Sequence, residues 1–161
     1  AEALIRCGYG RVAFLGGPRA ATSTQDRAAG FLGALADHPR MRVSESYAGG
    51  YTFDAGRAEM QRLLAAGPAE AYFCGDDLLA VGALSAIEEA GLSVPGDIGL
   101  IGLNDMEMSR WQIIGLTTIR QPVAQIIEAA IELVVATIEA PDRHPEIRLF
   151  PCRLVERRTL R

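Results

Sequence analysis

At 161 residues, 49% hydrophobic and 22% charged, the chain has the balance of one folded domain with a real core, not that of a disordered segment. A net charge of −4 argues against unaided binding to a phosphate backbone, and no apolar run is long enough to span a bilayer. All sixteen basic residues are arginine, which excludes Schiff-base chemistry, a P-loop lysine and a Ser–Lys dyad.

The opening, AEALIRCGYG, lacks the basic start and long apolar stretch of a secretory signal. Residues 11–17 (RVAFLGG) form a short apolar strand ending in glycines, and residues 23–37 have helical spacing at Ala28, Phe31, Leu32 and Leu35, with Ser23 or Thr24 as the expected N-cap. A second strand (42–50) leads to a helix capped by Thr52 and closed by Gly67. A third strand (69–77) leads to a helix closed by Gly91, and Asp77 is the expected cap. The fourth strand, DIGLIGLND, is apolar on both faces, as a buried parallel strand requires. LTTIRQP is extended and stops at Pro122, residues 123–140 form a long helix, and residues 146–159 are extended but broken by Pro151, the pattern of an edge strand or of two short strands.

Strand–helix alternation with short links predicts an α/β fold around a mostly parallel sheet. Ligands of such sheets bind beyond the carboxyl ends of the strands. Those ends carry Gly16-Gly17, Gly50-Tyr51, Asp76-Asp77 and Asn104-Asp105, so four strands deliver glycines or hydrogen-bonding groups to one rim. Cys7, Cys74 and Cys152 are odd in number, distant and without a CxxC pair; a reducing, cytoplasmic setting and three small buried hydrophobes are expected. His38 and His144 each precede a proline in loop-like sequence, and neither a Ser–His–Asp set nor a metal cluster is visible. No cofactor or metal is expected. Arg148, Arg153, Arg157, Arg158 and Arg161 read as a solvated edge and tail.

Six ordered segments resemble the LacI/GalR transcription regulators. GYGRVAFLGGP is similar to that family's GHxRIAFIGGP, STQDRAAGF to its S-x-x-x-R-xx-G-[FWY], YFCGDDLLAVGAL to its VFxxNDxxAxGAL, and GLSVPGDIGLIGLNDM to its GLxVPxDVSVVGFDD; LTTIRQP is nearly unchanged, and LVERRT resembles its closing LVxRxS. Each motif alone is weak; six in register are strong. The resemblance implies a three-layer α/β sandwich, the C-terminal lobe of a type I periplasmic-binding-protein-like core. It implies that residues 1–121 are that lobe, 122–140 a crossover helix normally belonging to the N-terminal lobe, and 141–161 a return strand and tail. The expected function is effector sensing in a LacI-type regulator: a small polar ligand, a sugar or derivative by family default, controls DNA binding through a helix-turn-helix that this chain lacks. A homodimer with contacts near residues 78–90 and 106–111 is expected, with no membrane partner.

The resemblance places Arg27 at the family's effector-anchoring arginine, whose planar fork suits hydroxyls or a carboxylate; a solvated helix arginine is the competing reading. Asp76 falls where the family has Asn or Ser, and Asn104 where it has Asp, so the two types look exchanged. Tyr51 matches an aromatic that meets the ligand ring, against a tyrosine packed at a loop edge. Trp111 matches an aromatic near both site and subunit interface. The apolar stripe Val123, Ile127, Ile131, Val134 and Ile138, widened by Ile126 and Val135 and opposed by Glu128, Glu132 and Glu139, would face the first lobe in a family member. Without that lobe it is predicted to fold back on its own lobe or to pack against another copy. Two other functions compete. A transport solute-binding protein shares the fold, but LTTIRQP and LVERRT argue against it. An enzyme on a flavodoxin-like sheet is disfavoured because Gly16-Gly17-Pro18 is no GxGxxG fingerprint.

Overall fold

A computed structural model describes residues 1–161. A short helix α1 (Glu2–Arg6) precedes β1 (Arg11–Gly16), α2 (Thr22–Leu35), β2 (Arg42–Tyr47), α3 (Phe53–Ala66), β3 (Ala71–Cys74), α4 (Asp77–Glu89) and β4 (Gly99–Leu103). A 3-10 turn (Glu107–Arg110), β5 (Thr118–Arg120), α5 (Val123–Glu139) and β6 (Arg153–Val155) complete the chain. The six strands form one sheet in the order β2-β1-β3-β4-β5-β6. Every pairing is parallel except the last, where β6 runs antiparallel to β5. No helix is long and apolar enough to cross a membrane.

Side chains alternate across the strands, so each strand feeds two cores. Ala13, Leu15, Tyr72, Cys74 and Leu100 face α3 and α4 together with Met60, Leu79 and Ile87. Val12, Phe14, Ala71, Phe73, Ile101 and Leu103 face α1 and α2 together with Phe31 and Leu35. The order turns at β1, which has β2 on one side and β3 on the other. With right-handed crossovers this puts α2 and α3 on opposite faces and opens a crevice at the carboxyl ends of the strands.

Several local expectations hold. Thr52 Oγ1 accepts from the Ala55 N–H at the start of α3 at 3.2 Å, and Gly67 closes that helix. Others do not. Helix α2 starts after Ala21 with no side-chain cap; Thr24 is fully buried and turned toward the sheet, so it cannot serve the helix end. Of the cysteines only Cys74 is buried: Cys152 is exposed, and half-buried Cys7 donates to the Arg161 carbonyl. Helix α5 does not fold back on the lobe. It buries only Ala129, while Ile131, Val134 and Ile138 are 60%, 57% and 74% exposed. The reason is geometric: after β5 the chain leaves the sheet, and both its faces at the interior strands are already occupied by α1–α4.

Candidate functional site

The rim at the carboxyl ends of the strands carries two hydrogen-bonded groups, one around Arg27 and one around Asp76, that meet at the consecutive residues Gly75 and Asp76. Arg27, in the second turn of α2, donates from Nη1 to the Gly75 carbonyl at 2.8 Å and to the Tyr51 hydroxyl at 3.4 Å. Its guanidinium carbon lies 5.8 Å from the Tyr51 ring centroid, a cation–π distance. Tyr51 is held in turn by the Thr24 hydroxyl. Its ring lies against Gly17, where a Cβ would stand 2.5 Å from Cζ, so the second glycine of the Gly16-Gly17 pair leaves room for the tyrosine. Both Nη1 protons of Arg27 are used on the protein, which leaves Nε and Nη2 with three N–H donors.

Asp76 begins α4. One carboxylate oxygen accepts from the Leu78 N–H at 2.7 Å, and the other from Asn104 Nδ2 at 2.7 Å. Asp76, not Asp77, is therefore the cap. Gln121, just beyond β5, donates to Asn104 Oδ1 at 2.6 Å. Asp76, Asn104 and Gln121 thus form a chain across the ends of β3, β4 and β5. The exchanged residue types still meet: a carboxylate and an amide face each other, with the charge on the β3 side.

Behind this rim sits a second layer. Asp77 is fully buried and accepts from the Thr118 hydroxyl at 2.5 Å and from the Met106 N–H at 2.7 Å. Burial pushes its carboxyl above the ordinary range, against those two hydrogen bonds. A Cβ at Gly102 would overlap Asp77 Oδ1, which is why β4 carries glycine there. Asn104 and Asp105 both have positive φ, 113° and 53°. Such backbone costs on the order of 1–3 kcal/mol per residue unless the surroundings impose it. Asp105 is clamped by Arg120 on one oxygen, and by Arg157 at 2.6 Å and Ser109 at 3.0 Å on the other. Burial acts to raise its carboxyl, but these bonds together outweigh burial and hold it low. Burial pushes the Cys74 thiol far up, so it stays protonated and is no nucleophile.

Arg27, Tyr51, Asp76 and Asn104 thus come together, as the strand ends predicted. Trp111 does not join them: it closes the 3-10 turn, 53% exposed, beside exposed Ile113. Three participants are not marked out by the sequence. Thr24 has the look of a helix cap, and Gln121 lies inside a longer motif, although it ends a strand as the others do. Arg157 resembles its solvated neighbours in the tail but is 16% exposed and paired with Asp105. No group of three or more His, Cys, Asp or Glu residues could hold a metal.

The sequence profile of the periplasmic binding protein-like domain matches residues 1–160. The probable HTH-type transcriptional repressor ExuR of Bacillus subtilis (strain 168) is 34% identical over 148 residues, covering 90% of this chain and 44% of its own length. The HTH-type transcriptional repressor PurR of Escherichia coli O1:K1 / APEC is 34% identical over 161 residues, covering 98% of this chain and 47% of its own length. Among solved structures, the Lac repressor dimer bound to operator and the anti-inducer ONPF superposes with a TM-score of 0.90 at 29% identity, over 99% of this chain and 55% of that one. The chain therefore spans less than half the length of these two curated relatives.

Proposed function

Because the chain belongs to the periplasmic binding protein-like domain family, with LacI-type repressors as its relatives, we propose that it is the effector-binding lobe of a cytoplasmic LacI-type transcription regulator. The observation that carries this reading is the convergence of Arg27, from the helix that follows β1, with Tyr51, Asp76, Asn104 and Gln121, from the ends of β2, β3, β4 and β5. The free Arg27 N–H groups, the spare lone pairs of Asp76 and the second amide proton of Gln121 offer donors and acceptors side by side. A small polar ligand rich in hydroxyl or N–H groups, such as a sugar or a derivative, satisfies both.

In this reading residues 1–121 form the lobe, 122–140 cross to the companion lobe, and 141–161 return. The strand β6 and the tail beyond it then belong to this lobe's sheet. The bare stripe of α5 is the surface that the companion lobe covers. A ligand held between the lobes favours one arrangement of the two, and a DNA-binding head elsewhere in the protein responds to that population shift. The copies of a dimer meet through the half-exposed α4 positions Leu78, Val81 and Ser85, which share a helical face, and through Trp111 and Ile113.

The test is a thermal-shift screen of sugars, sugar phosphates and nucleobases on the full-length gene product, followed by calorimetry on Arg27→Ala. Loss of the charged hydrogen bonds of Arg27 should cost about 2 kcal/mol, roughly thirtyfold in Kd. An unchanged affinity removes Arg27 from the site. No compound in the panel raising the melting temperature would count against effector sensing itself.

A further inference from the structure

The end of the chain reaches back to the rim. Arg157 lies 52 residues from Asp105 in sequence, yet its Nη2 donates to Asp105 Oδ1 at 2.6 Å. Its Nη1 donates to the Leu116 carbonyl at 2.7 Å and to Ser109 Oγ at 3.2 Å. The Asp105 side chain is 7% exposed, so water screens this charge pair little. The left-handed turn at Asn104 and Asp105 has no glycine to make it easy. The backbone is tethered to β5 only through the Asn104 N–H, bonded to the Ile119 carbonyl at 2.8 Å, and a long contact of the Asp105 N–H with Thr118 Oγ1 at 3.4 Å. Beyond the turn the Met106 N–H donates to buried Asp77 at 2.7 Å, and within the turn the Asp105 side chain is held by Arg120, Ser109 and Arg157.

We propose that Arg157 is a positioning residue of the candidate site: by holding Asp105 it keeps the Asn104–Asp105 turn left-handed, and that turn aims the Asn104 amide at Asp76. The functional meaning rests on reading Asp76 and Asn104 as ligand-facing groups, but the geometry is testable without any ligand. Released from Arg157, Asp105 keeps a single cation, the strained turn relaxes toward ordinary φ values, and the Asn104 amide leaves the Asp76 carboxylate. A residue that merely stapled the tail to the lobe would alter stability and leave that amide alone.

The experiment is nitrogen-15 NMR of the 161-residue chain, following the Asn104 side-chain amide assigned by its disappearance in Asn104→Ala. In the wild type its two protons should be well separated in shift, with the one bonded to Asp76 slow to exchange. Arg157→Met should bring them toward the values of an exposed amide and speed that exchange about tenfold, as expected for losing one hydrogen bond. Arg157→Lys keeps a charge against Asp105 and should recover part of the separation. Thr159→Val is the control. Buried Thr159 ties the tail to the Leu100 carbonyl and the Thr117 N–H at 2.7 and 2.8 Å, so its loss should lower the melting temperature and leave the Asn104 amide in place. An Asn104 amide unchanged in Arg157→Met, or disturbed equally by Thr159→Val, overturns the proposal, as does a lysine variant no better than methionine. Should Arg157→Met not fold, Asp105→Asn is read by the same signal, and an unchanged amide there is equally fatal. An unperturbed amide would leave the effector reading standing, whereas a wild type unresponsive to every compound of the screen would undo that reading and not this one.

Discussion

Helices α4 and α5 are both long and apolar, and only α4 is buried. Along α4, the side chains of Leu79, Leu84 and Ile87 enter the core, and between them Ala80, Gly82, Ala83 and Ala86 are small enough to let another helix come close. The approach to α3 is backbone to backbone: a Cβ at Gly56 would stand 2.7 Å from the Leu79 Cα, and one at Gly82 would be 2.7 Å from the Arg57 nitrogen. The α5 stripe is made of Ile and Val with no such notch. An apolar stripe says that a helix needs cover; small residues within the stripe say that the cover is close by and how near it comes. Seven large side chains of α5 stand exposed to water, each worth roughly 1.5–3 kcal/mol when buried, so the stripe is a surface that cover would stabilise.

The sharpest way to break this contrast is Gly82→Val. With its added atoms overlapping the Phe53 carbonyl, α3 and α4 must part, and the variant should lose about 3 kcal/mol or more or fail to fold; a chemical denaturation curve within 1 kcal/mol of wild type, roughly the scale of an ordinary substitution, would show that the helices are not as close as described. Next comes a matched pair. Ile87→Ala in α4 should cost about 2–5 kcal/mol, and Ile131→Ala in α5 less than about 0.5 kcal/mol, the scale of a surface change. Comparable losses in the 161-residue chain would mean that α5 is covered in solution, and sedimentation at the same concentration would tell whether a second copy covers it.

The smallest effect expected is acid dependence. Although burial favours protonation of Asp105, its bonds to Arg157, Arg120 and Ser109 leave its carboxyl below the ordinary range. A carboxyl whose folded pKa lies below the unfolded one contributes stability that is complete above the unfolded value, about 4, and is lost as pH falls through the folded value. The melting temperature should therefore decline below about pH 4, and Arg157→Met should flatten that decline. The surface pair of Glu132 on α5 with Arg148 beyond it, at 2.7 Å, should add nothing measurable to it. A decline that is the same in both proteins would locate the acid sensitivity elsewhere.

The strands and helices were legible in the sequence because periodicity and punctuation agree at nearly every boundary: glycines after β1 and β2, Thr52 before α3, Gly67 after it, Pro122 before α5. The rim was legible because the carboxyl ends of parallel strands share one side of a sheet. What stayed hidden depends on partners far away in sequence. Thr24 and Ser23 have the same claim to cap α2 until the sheet shows that Thr24 meets Tyr51. Asp76 and Asp77 are neighbours of one type, and only the crossing of β4 and β5 buries one and leaves the other on the rim. Arg157 stands among exposed arginines that composition cannot tell apart; what sets it aside is a carboxylate delivered by a different strand.

The single tryptophan of the chain closes the 3-10 turn half in water. That placement makes it an intrinsic optical gauge. An indole so exposed emits at long wavelength, and anything that covers the turn, whether a second copy or a companion lobe, moves the emission to the blue without any added dye. With no competing indole, the whole signal belongs to one turn, within the loop that joins the end of β4, and with it Asn104 and Asp105, to β5. Fluorescence of the unmodified protein thus reads assembly at the very segment that leads away from the rim.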